Sequence, residues 1–146
     1  MIPILTIDPG ASGGLALLDR EGNVEAFPMR DGMTEQIDAI RHIAVTNPGI
    51  KAVIEKVGFH RPGNSAVSTA KFARHCGHLE AALYTWGIPY TEVSPAVWMR
   101  ALGTLPKDKA DRKRAIKEIV ARRFPHLAVT LKTADALGML VWAMQR

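Results

Sequence analysis

The chain has one cysteine, Cys76, among its 146 residues, and this scarcity excludes two kinds of site. A single cysteine cannot form a disulfide within the chain, and it cannot build a cysteine-based metal cluster. No apolar run approaches the ~18 residues that a transmembrane helix needs. The first residues also lack the basic segment and apolar core of a signal peptide. These absences predict a cytoplasmic protein without membrane attachment.

The two signs of charge are unevenly distributed. Residues 1–93 carry 8 Lys and Arg against 10 Asp and Glu, a net charge of −2, whereas residues 94–146 carry 11 against 4, a net charge of +7. A basic C-terminal third favours a polyanionic partner, of which nucleic acid is the usual example. A solvated basic helix face explains the same charge equally well at this point.

Hydrophobic periodicity predicts one α/β domain over residues 1–146. The predicted strands are 3–8, 13–19, 23–29, 51–57 and 88–93, and the predicted helices are 34–48, 65–86, 94–102, 110–124 and 133–144. Thr34, Ser94 and Thr133 are the expected N-caps of the first, third and last helices. This order predicts a five-stranded mixed sheet flanked by helices, with an antiparallel hairpin at one edge.

Three acids lie in apolar surroundings. Asp8 ends the first strand in ILTIDPGASGGLALLD, Glu55 lies in AVIEKV, and Asp135 opens the last helix in KTADALGML. Because the carboxyl ends of neighbouring parallel strands meet at one edge of a sheet, Asp8 and Glu55 would project together, and a helix over that edge would bring Asp135 to them. Converging carboxylates need a cation, and oxygen donors favour Mg²⁺ or Mn²⁺. Two such ions about 4 Å apart would suit phosphodiester hydrolysis.

Each acid also has a structural explanation. Asp8 before Pro-Gly can be a turn former, Glu55 can pair with a basic side chain, and Asp135 in a first helical turn interacts favourably with the helix dipole. The turn DPGASGG can also cradle phosphate with backbone N–H groups, and actin-like and sugar-kinase-like ATPases carry a similar Asp-x-Gly turn. Those folds need a second such turn, which the chain lacks. We therefore expect no nucleotide cofactor.

The segments ILTIDPGASGGLALLD, AVIEKVGF and TADALGML, in this order and spacing, resemble the RuvC family of Holliday junction resolvases, members of the RNase H-like superfamily. The resemblance covers nearly the whole chain and looks like a bacteriophage version of the family. It implies an RNase H-like fold and a homodimeric endonuclease that uses one or two Mg²⁺ ions per subunit, with Mn²⁺ as a substitute. Such an enzyme binds four-way DNA junctions and cuts two strands of like polarity symmetrically, leaving 5′-phosphates.

The resemblance also implies roles for individual residues. Asp8, Glu55 and Asp135 fall on the family's acidic ligand positions. Lys113 falls near a lysine implicated in catalysis, where it would hold the scissile phosphate or stabilise developing charge. Phe59 lies in the loop after Glu55, where family members carry an aromatic residue that contacts bases near the crossover point. Closing that loop is an alternative role for Phe59.

Two positions depart from the family pattern. Family members usually carry Asp or His three residues before the last acid, but this chain has Lys132, whose ammonium group cannot ligate a metal. Lys132 would contact phosphate, replace part of the charge of a second metal ion, or be solvated. Trp98 stands where a family basic residue would align; Arg100 can substitute for that residue, and Trp98 can belong to the core.

The basic helix and the loop before it supply charges for a DNA backbone. Ile116, Ile119 and Val120 form an apolar stripe that leaves the cations facing outward. Such a surface predicts strong salt dependence and little sequence readout. The predicted DNA contacts are Phe59, Arg61, Lys107, Lys109, Arg112, Lys113, Arg114, Lys117 and Lys132.

The long helix after Glu55 has a seam of small residues. Ala66, Ala70, Ala73 and Gly77 are spaced three and four apart, so they share one face, and small residues let another helix approach closely. We predict that this face forms the interface of a two-fold dimer, which would present two identical sites to a junction. Packing of the seam within the monomer is the alternative.

Overall fold

The computed structural model describes residues 1–58 and 62–146, and it confirms the predicted order of elements. The strands are β1 (Ile4–Asp8), β2 (Gly14–Leu18), β3 (Val24–Pro28), β4 (Lys51–Glu55) and β5 (Tyr90–Val93). The helices are α1 (Met33–Thr46), α2 (Ala66–Thr85), α3 (Pro95–Met99), α4 (Lys109–Arg123) and α5 (Ala134–Met144), with a 3₁₀ turn at Arg100–Leu102.

In the described part of the chain, the five strands form one mixed sheet in the order β3-β2-β1-β4-β5. The hairpins β1–β2 and β2–β3 are antiparallel. β4 runs parallel to β1, and β5 runs parallel to β4. Ile7 pairs with Ile54, so the same register places Asp8 beside Glu55 where the two central strands end.

Helices cover both faces of the sheet. Leu5, Ile7 and Ile54 belong to the apolar cluster that includes residues of α1 and α2. Val53 belongs to the second cluster, which includes residues of α3, α4 and α5. Because successive side chains of a strand alternate between faces, Asp8 and Glu55 point to the face covered by α3, α4 and α5.

Local capping explains where some helices begin. The Ser65 hydroxyl accepts a hydrogen bond of 3.1 Å from the Ser68 N–H, which confirms the predicted start of α2. Asp108 caps α4 in the same way through the N–H of Asp111. The prediction that Thr34 caps α1 is wrong: the helix begins one residue earlier, after Gly32, whose φ of 85° favours glycine, and no side chain caps it.

No helix within residues 1–58 and 62–146 combines the length and apolar character needed to cross a membrane.

Candidate active site

One open cavity of about 990 Å³ collects acids and cations from four elements. Its acids are Asp8 at the end of β1, Glu55 at the end of β4 and Asp135 in the first turn of α5. Its cations are Lys109, Arg112 and Lys113, all from α4. Residues separated by up to 127 positions in the chain therefore line a single cavity with three carboxyl groups and three cationic groups.

Two glycines let the chain close tightly around Asp8. A Cβ atom on Gly13 would lie 2.0 Å from the carbonyl oxygen of Asp8, so only glycine fits where the chain turns back into β2. A Cβ atom on Gly14 would lie 2.5 Å from the carbonyl oxygen of Lys132. The glycines thus have a packing role: they bring the segment before α5 against the β1–β2 hairpin.

A buried threonine anchors α5 over β1. Thr6 is fully buried, and its hydroxyl donates a hydrogen bond of 2.6 Å to the carbonyl oxygen of Ala136. Thr6 precedes Asp8 by two residues on the same face of β1, and Ala136 directly follows Asp135. The bond therefore ties the beginning of α5 to the strand that carries Asp8.

Burial and two neighbouring cations act on the pKa of Asp135 in opposite directions. Burial raises its pKa above the usual range, because a carboxylate loses hydration there, while the charges of Lys113 and Arg112 act in the opposite direction. The two cations are therefore close enough to act on Asp135, although they do not cancel the desolvation cost. A bound divalent cation would relieve that cost further.

The donor set fits a hard divalent cation such as Mg²⁺, because the acids that line the cavity offer only oxygen ligands. Asp8, Glu55 and Asp135 are the residues that would hold it. In residues 1–58 and 62–146, however, no group of three His, Cys, Asp or Glu side chains lies close enough together to hold a metal ion. Ligation would therefore draw the three carboxylates closer together than they stand here.

α4 presents one face to the cavity. Lys109, Arg112, Lys113 and Ile116 follow the spacing of a single helical face, and the buried Ile116 holds the helix to the core. The Arg112 guanidinium also donates a hydrogen bond of 2.8 Å to the carbonyl oxygen of Lys107, in the loop before α4. The spacing of residues along α4 thus puts the three cations on the side that faces the cavity, beside Ile116, which anchors the helix.

The other predicted DNA contacts lie elsewhere. Lys107, Arg114, Lys117 and Lys132 are not among the residues that line the cavity. Arg114 forms an exposed ion pair with Asp111, and Lys132 is exposed in the turn before α5. Phe59 and Arg61 fall outside the described residues, so their predicted contacts with DNA stay predictions.

Sequence reasoning missed two contacts near the acids. The indole N–H of Trp98 donates a hydrogen bond of 2.7 Å to Oε2 of Glu55. The second contact is a hydrogen bond of 2.9 Å from the Gly10 N–H to Nε2 of His75 on α2. Nothing in the sequence pattern around Trp98 indicates its partner.

Arg100, the suggested substitute for the family basic residue that aligns with Trp98, is exposed and does not line the cavity.

The small-residue seam of α2 lies on the surface of the described structure. Ala66, Ala70 and Gly77 are exposed and Ala73 is half-buried. A Cβ atom on Gly77 would meet no atom within 4 Å. The seam therefore does not pack within the described part of the monomer, and a dimer through it stays a prediction.

No protein-family model matches the chain, and no curated protein sequence matches it. Solved structures do match, two of them of RuvC. The Thermus thermophilus RuvC structure is 17% identical, with a TM-score of 0.59, and T. thermophilus RuvC in complex with Holliday junction substrate is 17% identical, with a TM-score of 0.63. Each match covers 99% of this chain and 96% of the other. The predicted RNase H-like architecture is confirmed: the chain has the fold of RuvC.

Proposed function

We propose that the chain is a divalent-metal-dependent endonuclease that resolves four-way DNA junctions by symmetric paired nicks leaving 5′-phosphates. The observation that carries this proposal is the cavity in which acids from β1, β4 and α5 meet three cations from α4. The fold adds support, because a RuvC of the same fold has been solved in complex with Holliday junction substrate.

Asp8, Glu55 and Asp135 hold one or two Mg²⁺ ions in this proposal, and Mn²⁺ substitutes for Mg²⁺. Mg²⁺ bound there supplies Lewis acidity toward a phosphodiester and lowers the pKa of water. Oxygen-only ligation suits both cations. The partial burial of Asp135 excludes enough water to make its charge effective, and the binding of a cation offsets the cost of that burial.

Lys113 holds the scissile phosphate and stabilises charge that develops on it, since it lines the cavity and its charge acts on Asp135. Lys109 and Arg112 contact the phosphates on either side. The exposed cations Lys107 and Arg114, at the same end of α4, extend this contact along the DNA backbone. Such contacts position DNA without reading its sequence, so selectivity for a junction comes from the shape of the DNA.

Two copies of the chain joined through α2 would supply the two cuts. The seam continues to Tyr84, which is 84% exposed and follows Gly77 by seven residues, two turns along the same side of α2. A two-fold dimer through this surface presents two identical cavities to the symmetric arms of a junction. Sedimentation of the chain with Gly77→Glu, which places a charge in the seam, tests the interface: a monomer is the expected result.

One observation favours a second candidate, a catalytically silent DNA-binding protein. Lys132 stands where RuvC-like chains usually carry a fourth ligand, and the described acids do not form a preassembled metal site. Thermal unfolding with and without Mn²⁺ separates the candidates, because a ligand that binds only the folded state raises its stability. A less selective nuclease on branched or flapped DNA would retain the metal response.

The test of the proposal compares cleavage of a labelled four-way junction with cleavage of a linear duplex of the same sequence. Mg²⁺, EDTA and the Asp8→Asn variant complete the comparison. Paired nicks on the junction alone, lost with EDTA and with the variant, are the expected result. Equal cutting of the linear duplex would remove junction selectivity from the proposal, and tight binding without any cut would support the silent candidate.

A further inference from the structure

Trp98 connects the end of β4 to the helices that cover it. The residue lies in α3 and is fully buried, and its indole N–H donates to Glu55 Oε2 over 2.7 Å. An indole N–H can only donate and an ionised carboxylate can only accept, so the bond has one polarity. Hydrogen bonds to charged groups are stronger than neutral ones, and the bond therefore fixes the orientation of the carboxylate.

The indole is held in place from the other side by α5. A Cβ atom on Gly138 would lie 2.6 Å from Cζ3 of Trp98, so the ring packs directly against the backbone of that helix. Gly138 follows Asp135 by three residues, about one turn along α5. The same indole thus touches Glu55 on β4 and the helix that carries Asp135, and it couples the positions of these two acids.

A neutral donor at this place differs from the basic residue that the resemblance leads one to expect. An ammonium or guanidinium group beside Glu55 would neutralise the carboxylate and compete with a metal cation for it. An indole orients the carboxylate and leaves its negative charge available. Outer groups that orient a metal ligand in this way are commonly worth about 10- to 100-fold in metal affinity.

We propose that Trp98 is a positioning residue that orients Glu55 for a divalent cation and ties the end of β4 to α5, the helix that carries Asp135. This inference rests on the proposed function, since it assigns Glu55 and Asp135 as metal ligands. Trp98 touches neither substrate nor cation, and its effect passes through the carboxylate of Glu55.

Trp98→Phe removes the N–H and keeps most of the ring, and Trp142→Phe is its matched control. Trp142 Nε1 is buried without a hydrogen-bond partner among the described atoms, so its loss removes no bond to an acid. The measurement is the midpoint of Mn²⁺ binding to the folded protein without DNA, obtained by fitting the rise in melting temperature with Mn²⁺ concentration to a single site. We expect Trp98→Phe to raise this midpoint about 10-fold, and Trp142→Phe to leave it unchanged.

The outcomes separate this inference from the proposed function. If the wild-type protein gains no stability from Mn²⁺, the proposed metal site fails and the inference fails with it. If the wild type responds and Trp98→Phe has the same midpoint as Trp142→Phe, the inference alone is overturned. Cleavage by Trp98→Phe should recover toward the wild-type rate at saturating Mg²⁺, because affinity rather than chemistry is changed; a loss that excess Mg²⁺ does not restore would contradict the positioning role.

A measurement on the wild-type chain covers the case in which Trp98→Phe does not fold. The indole N–H resonance of Trp98, identified by its persistence in Trp86→Phe and Trp142→Phe, is followed by NMR during a Mg²⁺ titration without DNA. We expect it to shift with Mg²⁺ as the Glu55 carboxylate becomes ligated, while the Trp142 resonance stays in place. A Trp98 resonance that does not move while the protein is stabilised by Mg²⁺ would overturn the inference.

Discussion

Two cavities of similar size differ in the kind of acid that lines them. The smaller cavity, at the ends of β1 and β4, has a volume of about 990 Å³. The larger one, between the β2–β3 hairpin and α1, has a volume of about 1070 Å³ and is called the hairpin cavity below. The second cavity has more acids and fewer cations. Its acids are Asp19, Glu21, Glu25, Glu35 and Asp38, and its basic residues are Arg30 and His42.

If the smaller cavity is the active site, as we propose, then neither volume nor acid content distinguishes it from the larger cavity. Asp19, in the larger cavity, is a satisfied turn acid: hydrogen bonds from Asn23 lower its pKa. Asp135, in the smaller cavity, has a pKa raised by burial. Under the proposed function a bound cation would offset the desolvation of Asp135, whereas the turn acid Asp19 already has its hydrogen-bond partners.

The largest effect that distinguishes the two cavities is on cleavage. Asp8→Asn removes a proposed metal ligand, and Asp38→Asn makes the same change in the hairpin cavity, where Asp38 is exposed and pairs with Arg41. We expect Asp8→Asn to lower the rate of junction cleavage roughly 10³-fold, since metal-ion catalysis supplies several kcal/mol. Asp38→Asn should cut at the wild-type rate. Gel assays at saturating DNA measure both, and equal losses would mean that the cavity of Asp8 has no special role.

The next largest effect distinguishes a lysine that lines the smaller cavity from a lysine that does not, by the cleavage rates of their variants. Lys113→Gln should lower the cleavage rate at saturating DNA about 100-fold, because it removes charge stabilisation beside the reacting phosphate. Lys132→Ala should leave both the rate and the Mg²⁺ dependence unchanged, because Lys132 does not line the cavity. Single-turnover cleavage over a range of Mg²⁺ concentrations measures the two variants. A changed Mg²⁺ dependence in Lys132→Ala would show that this lysine replaces part of the missing ligand.

A smaller effect concerns the stability of the metal-free protein. The raised pKa of Asp135 means that the folded state binds more protons than the unfolded state between the ordinary and the raised value, so stability is lost as pH rises through the raised pKa. Asp135→Asn cannot ionise and avoids this cost. We expect its melting temperature at pH 7 without metal to be about 2–4 °C higher than that of the wild type, the effect of roughly 1 kcal/mol in a chain of this size.

Calorimetry with and without Mn²⁺ checks this prediction. Asp135→Asn should also gain less from Mn²⁺ than the wild type does, because a ligand is missing. Lower stability of the metal-free variant would mean that Asp135 is satisfied by Lys113 and Arg112 and needs no cation.

The sequence predicts the parts of the site that depend on neighbouring residues along the chain. The apolar run that ends at Asp8 predicts β1, and the spacing of Ile116 and Val120 predicts which side of α4 is buried. Parallel pairing of β1 and β4 then brings Asp8 to Glu55. The order of strands and helices follows from the same local signals.

The contacts that hold the acids in place join distant segments, and no local pattern predicts them. Thr6 reads as one more strand residue, yet its hydroxyl anchors α5 at Ala136, 130 positions away. Trp98 fits the pattern of a core residue, and its partner Glu55 lies 43 positions earlier. Thr34 is a favourable N-cap by type, but the chain turns at Gly32 instead. Such choices depend on tertiary packing, which overrides local preference.

The smallest effect concerns a histidine behind the β1–β2 turn. His75 Nε2 accepts the Gly10 N–H, two residues after Asp8, so Nδ1 carries the proton and donates to Gln36 Oε1 over 3.1 Å. Burial, and then the charge of His78, lowers the pKa of His75. Protonation of His75 would remove the acceptor for the Gly10 N–H. The hydrogen bond between Gly10 and His75, which lies beside the proposed metal site, should therefore be lost in acid.

The lowered pKa fixes the sign of the effect. The unfolded chain binds a proton near pH 6.5 and the folded chain does so only at lower pH, so the stability that His75 contributes is present above about pH 6.5 and is lost as pH falls through its folded pKa. His75→Gln keeps an acceptor for Gly10 and cannot titrate, whereas His42→Gln changes an exposed histidine of the hairpin cavity. Between pH 7 and 5 the melting temperature of His75→Gln should fall less than that of the wild type. We expect the two falls to differ by about 2 °C, a small effect because His75 is only half-buried. His42→Gln should follow the wild type, and an equal reduction of the slope in both variants would assign the pH response to histidine content rather than to the turn beside Asp8.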